Sequence, residues 1–119
     1  MRIEINRNGE RVVIVTFSTK AEEFDSNYER NKFFRELHGW TQTVPHGDKK
    51  YTYHREGILN DIPHMKISDS VFAIQREHMR MMEAFFEQWR KKVEYNMIEV
   101  MMARQRFLNA ARNNNKEDD

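Results

Sequence analysis

The run Lys49-Lys50-Tyr51-Thr52-Tyr53-His54-Arg55 interleaves cations with aromatic rings. Ammonium and guanidinium groups neutralise phosphates, and phenol rings offer flat faces on which unpaired bases stack, so the run has the composition of a nucleic-acid reader. A second cationic cluster, Arg90-Lys91-Lys92, adds charges of the same use. The candidate nucleic-acid-binding residues are therefore Lys49, Lys50, Tyr51, Tyr53, Arg55, Arg90, Lys91 and Lys92, with Arg30, Lys32 and Arg35 extending the footprint. Alternation along a strand sets Tyr51, Tyr53 and Arg55 on one face and Lys50, Thr52 and His54 on the other. If the tyrosines face the core, the run is an ordinary solvated strand.

Other chemistries find less support. Metal sites draw on tight spacings such as His-x-His or an i,i+4 helical pair, and His38, His46, His54, His64 and His78 show neither. His46 and His54, with Glu56, come nearest to a ligand set across a hairpin. The four glycines are dispersed, so there is no phosphate-cradling loop, and no Gly-x-Ser-x-Gly turn occurs. The absence of cysteine excludes disulfide and thiol chemistry. No catalytic residue, metal ligand or small-molecule cofactor is assigned, and the sequence points away from an enzyme.

The elements that must position these residues follow from periodicity. Arg2–Asn6 alternates, Asn8-Gly9 is tight-turn chemistry, and Arg11–Phe17 is a β-branched run apolar on both faces; this predicts a hairpin whose second strand lies at the centre of a sheet. Ser26-x-x-Glu29 is a capping box that starts a helix with Tyr28, Phe34 and Leu37 on its apolar face, and Gly39 stops it. Trp40–Val44 and Lys50–Glu56 form a second hairpin around Pro45-His46-Gly47-Asp48. Residues 57–68 show no clear period and read as a loop pinned by its apolar side chains. Val71–Ile74 is expected to be a short buried strand.

From Gln75 to Arg112 the chain contains no Gly or Pro, and Met82, Phe86, Trp89, Val93, Asn96 and Val100 recur with heptad spacing. One long amphipathic C-terminal helix accounts for them. Its apolar face exceeds what a domain of 119 residues can cover, so these six residues are the expected interface of a homo-oligomer, a dimer joined as a coiled coil. The fold class expected is α+β: a small antiparallel sheet from two hairpins and a short strand, one short helix and that long helix. Residues 1–112 make a single domain and 113–119 a disordered polar tail.

An alternative breaks the long helix near Lys92, because Val93–Val100 also supports a strand and Arg90-Lys91-Lys92 suits a helix C-terminus. The order becomes βαββαβ, ferredoxin-like. With Arg11–Phe17 first, a basic helix ending at Gly39-Trp40, and Ser70-Val71-Phe72 leading to a helix, part of the chain then resembles the small CRISPR-associated nuclease-type proteins. That resemblance implies a ferredoxin-like nuclease-type enzyme. The family pattern has an Asp at the end of the first strand where this chain has Thr16-Phe17-Ser18, and residues 41–69 would be an insertion, so no catalytic residue carries over.

Lys and Arg number 20 against 19 Asp and Glu, a balance that gives no global field for polyanions and leaves any basic surface to local segregation. No apolar run reaches the length of a membrane span. The expectation from sequence is a cytoplasmic, homo-oligomeric regulatory or accessory protein with nucleic acid as a candidate partner and no membrane partner; a purely structural assembly module is the third reading.

Overall fold

The computed structural model describes residues 9–117, with side chains through Arg112. Its elements are β1 (Gly9–Thr19), α1 (Asn27–His38), β2 (Trp40–His46), β3 (Lys49–Arg55), β4 (His64–Ser68), β5 (Val71–Gln75), α2 (Met79–Gln88), β6 (Val93–Ala103) and α3 (Arg104–Glu117), with 3₁₀ turns before α1, before β4 and before α2. Strands β4-β5-β1-β6 form one antiparallel sheet in that order, and β2-β3 form a second, two-stranded one. The protein is thus α+β with a small antiparallel sheet and three helices. Leaving out the β2–β3 hairpin and α3, the chain runs βαββαβ with the strand order of a split βαβ arrangement.

The centre of the sheet is where the β-branched run placed it. Val12, Val13 and Val15 have no exposed surface, and β1 pairs with β5 on one side and β6 on the other. The expected Arg2–Asn6 strand lies outside the described residues, and Gly9 of the expected turn belongs to β1. One face of the sheet carries Val13, Val15, Phe17, Phe72 and Ile74 against α1 and α2. There Phe33 of α1 stacks on Phe85 at 5.7 Å and meets Phe17 edge-on at 5.6 Å, a geometry favoured by the ring quadrupoles. The other face carries Val12 and Ala73 under Phe107 of α3, with Ile14, Met65 and Val100 around them.

Local signals set α1. The Ser26 hydroxyl accepts the Glu29 backbone N–H at 3.2 Å, and Gly39, at φ 79°, donates its N–H to the Arg35 carbonyl, closing the last turn. Its buried residues are Phe33 and Leu37, whereas Tyr28, expected inward, is 73% exposed. The loop expected over 57–68 contains instead a 3₁₀ turn and the edge strand β4, although Leu59 and Ile62 do pin it to the core.

The long helix does not form. α2 stops at Gln88, a turn with Val93 N–H on the Trp89 carbonyl follows, and Val93–Ala103 is a strand in unbroken eleven-residue register with β1. β1 is buried on both faces, so the N–H and C=O groups on both of its edges need partners within the protein, and pairing with Val93–Ala103 supplies them along one whole edge; this outweighs a helical propensity worth only tenths of a kcal/mol per residue. The heptad spacing was shared by two elements of different period. Met82 and Phe86 come from α2 and Val93 from the start of β6, and all three are buried within the chain instead of facing a partner helix. Trp89 packs on Phe33 and Phe24, at 5.4 and 6.2 Å. Asn96 is exposed on β6 and Val100 half-buried under α3. The coiled-coil interface expected from these six residues is therefore absent from the fold. Tyr95, also on β6, stacks on Phe86 and donates to Glu87 of α2, which pushes its phenol up to about 12.

Candidate nucleic-acid interface

The β2–β3 hairpin stands apart from the sheet. None of its residues is buried, and every residue of β3 is exposed. A two-residue turn, Gly47-Asp48 with Gly47 at φ 64°, sets the register tighter than the four-residue turn expected from sequence, and pairs His46 with Lys49 and, at the other end, Trp40 with Arg55. Cross-strand partners project to the same side of a ribbon. One side consequently carries Trp40 with Arg55, Gln42 with Tyr53, Val44 with Tyr51, and His46 with Lys49; the other carries Thr41, Thr43, Pro45, Lys50, Thr52 and His54.

The first side gathers the rings and most of the cations. Tyr51 and Tyr53 are 46% and 47% exposed, which answers the question left by alternation alone: they are not core residues. The Arg55 guanidinium lies over the Tyr53 ring at 5.6 Å and bonds the Gln42 side-chain oxygen at 3.3 Å, while His46 meets Tyr51 edge-on at 6.1 Å. At the base, Arg35 of α1 sits 4.4 Å from the Trp40 ring centroid, close enough for a cation–π contact that ties the ribbon to the helix. Gly39 and Gly57 abut at the same place. A Cβ on Gly39 would come within 2.6 Å of the Arg55 carbonyl oxygen, and one on Gly57 within 2.3 Å of the Gly39 nitrogen. Only glycines let the strands leave the body this closely, and Asn60 closes the junction by accepting the Gly57 N–H at 2.6 Å.

Arg90, Lys91 and Lys92 are elsewhere. They occupy the turn between α2 and β6, beside the N-terminus of α1, whereas the hairpin leaves from its C-terminus; α1 alone separates the two by roughly 18 Å at 1.5 Å per residue. A cleft of about 510 Å³ opens there, lined by Glu29, Lys32, Glu36, Glu87, Arg90 and Lys92 among others. Two of its cations are paired with acidic neighbours. Lys92 Nζ bonds Glu29 and reaches Asp25 at 3.5 Å, and Arg90 reaches Glu87 at 3.8 Å. The hydrogen bond from Lys92 holds the Glu29 carboxyl below its usual range and the same bond raises the Lys92 ammonium. Arg30, Lys32 and Arg35 also separate: Arg30 lies near Phe34, Lys32 stands between the cleft and a smaller cavity at the hairpin base that Trp40 and Glu56 line, and Arg35 stacks on Trp40 itself.

The structure thus brings together Lys49, Tyr51, Tyr53 and Arg55, turns Lys50 to the opposite side, and leaves Arg90, Lys91 and Lys92 out. It keeps Arg35 of the extended footprint and adds Trp40. The signal for Trp40 in sequence was the register, readable once Gly47-Asp48 is taken as the whole turn, since that choice places Trp40 beside Arg55. His46 pairs with Lys49 and projects from the opposite side to His54, so the two do not converge on Glu56. Among the described residues no three His, Asp or Glu side chains come together as metal ligands, and no helix is long and apolar enough to cross a membrane. No family model, curated protein or solved structure matches this chain.

Proposed function

We propose that the protein is a small accessory or regulatory protein that binds single-stranded nucleic acid along the ring-bearing side of the β2–β3 hairpin. The observation that carries the reading is the pair of half-exposed rings Tyr51 and Tyr53, continued by the partly buried Trp40 beneath Arg35 and flanked by Arg55 and Lys49, on one side of a ribbon with no buried residue. Tyr51 and Tyr53 meet His46, Arg55 and their cross-strand partners in contacts worth roughly 0.2–1 kcal/mol each, whereas base stacking on such rings is worth about 1–3 kcal/mol per ring. Two residues of strand separate Tyr51 from Tyr53, about 6.8 Å, roughly twice the rise per nucleotide of a stacked duplex strand. That spacing suits bases that have been pulled apart, and a duplex keeps its base faces covered. Lys49 and Arg55 then meet phosphates, while Lys50 points away.

Fluorescence anisotropy with labelled single strands and duplexes of mixed sequence, over a range of salt, tests this. Tyr51→Ala and Tyr53→Ala are each expected to weaken single-strand binding by about 1–3 kcal/mol without lowering the melting temperature. Lys49→Ala should reduce the magnitude of the salt slope by about 0.7, the value for one phosphate contact on a single strand, and Lys50→Ala should leave it nearly unchanged. Absence of binding by the wild-type protein to DNA or RNA at low salt would sink the proposal.

A further inference from the structure

The two edges of the main sheet are treated differently. β4 has five residues, a register shift between Lys66 and Ser68, a lysine, and α3 packed against it. These are the devices by which proteins keep an edge strand from pairing with another chain. β6 lacks the shortness, the register shift and the lysine, and α3 meets it around Val100 and Met102. Its eleven residues run without a bulge, contain no Lys, Arg, Pro or Gly, and have no strand on their outer side among the described residues. Ile98 and Met101 are left 53% and 60% exposed there.

We propose that β6 pairs antiparallel with β6 of a second copy about a two-fold axis through Ile98, joining two four-stranded sheets into one of eight. Ile98 is the midpoint of the strand, so this axis uses every residue from Val93 to Ala103. Its charges are compatible with a second copy. Glu99 falls opposite Met97 and Glu94 opposite Met102, so no carboxylate meets another, whereas an axis one residue further on would set Glu99 against itself. Exposed Ile98 falls opposite its own mate, and exposed Met101 opposite Tyr95. The axis is perpendicular to the sheet, which keeps both copies of α1 and α2 on one side and both copies of α3 on the other. Among the described residues no strand follows β6 in the sheet order, so its outer backbone edge is unpaired there.

The self-opposed position gives a test specific to this register. Sedimentation of the full chain should show a dimer for wild type in the micromolar range. Ile98→Lys and Ile98→Asp each place like charges face to face and should weaken self-association at least about tenfold. Mixing the two variants sets Lys against Asp and should restore the dimer, with circular dichroism confirming that each variant alone is folded. A wild-type monomer throughout that range overturns the proposal, including the case in which β6 serves a strand of some other protein. So does an Ile98→Lys protein that dimerises as wild type does, or a mixture that stays monomeric.

Discussion

Individual side chains here are sorted by whether the fold needs them inside. Tyr51 and Tyr53 alternate as a strand facing a core would, but the hairpin that holds them meets no core, and only the surroundings of a strand decide which of its faces is wet. His38 shows the opposite case. It ends α1 with its ring stacked on Phe34 at 6.4 Å, and burial pushes its imidazole below its ordinary value of 6.5. The charges that face it are Lys66 and His64, which push in the same direction, and Asp69, which opposes them. In the unfolded chain the ring takes up a proton near its ordinary value, so as pH falls the unfolded state binds protons first. The stability contributed by neutral His38 is fully present above pH 6.5 and is lost as pH falls through the lower folded value. His38→Gln should accordingly flatten the stability profile on the acid side of neutrality. Urea denaturation at neutral and mildly acid pH checks it, and an equal acid loss in wild type and variant would refute the assignment.

At the scale of elements, what was legible in the sequence is what local chemistry decides. Ser26, Gly39 and Gly47-Asp48 each satisfy a backbone requirement within a few residues, and the helix and hairpin they bound are found where those residues put them. The break after Gln88 was legible as an alternative, from the strand character of Val93–Val100 and the Arg90-Lys91-Lys92 cluster, but local chemistry could not decide it, because the choice depends on β1, more than seventy residues earlier in the chain. Met82, Phe86 and Val93 keep a heptad phase across a helix, a turn and a strand by coincidence of spacing, and the edge strand β4 went unread because a short strand against one neighbour shows little alternation. The consequence for mutagenesis is a change in kind. Trp89→Glu would split an oligomer if Trp89 lay in a coiled-coil seam. Packed on Phe33 and Phe24, it should instead destabilise the monomer fold by about 3 kcal/mol or more, and Phe86→Ala, fully buried between Phe17, Phe72 and Tyr95, by about 3–5 kcal/mol. Thermal or urea melts read both. A Trp89→Glu protein with wild-type stability and altered sedimentation would reinstate the seam.

Across the whole molecule, the core and the proposed binding surface lie in separate parts. The sheet with α1, α2 and α3 contains every buried side chain of β1, β5 and the helices, while β2 and β3 contain none, so the hairpin adds length without adding core. Its junction is nevertheless closely packed, with Gly39 against Gly57 and Arg35 on Trp40. This arrangement permits an unusually clean excision. Trp40 and Arg55 are cross-strand partners, so a two-residue Asn-Gly turn in place of residues 41–54 closes the ribbon at its base with the twist such turns favour, and leaves both the glycine contact and the Arg35–Trp40 pair intact. Because the excised segment contributes no buried apolar surface, the shortened protein should unfold within about 1 kcal/mol of wild type. It should also lose most of its single-strand affinity with Tyr51, Tyr53 and Lys49, while the dimer proposed through β6 is retained, since that edge lies in the other sheet. Melting, anisotropy and sedimentation on one preparation separate the outcomes. A collapse in stability would make the hairpin a structural element, and binding that survives the excision undiminished would move the interface to another surface.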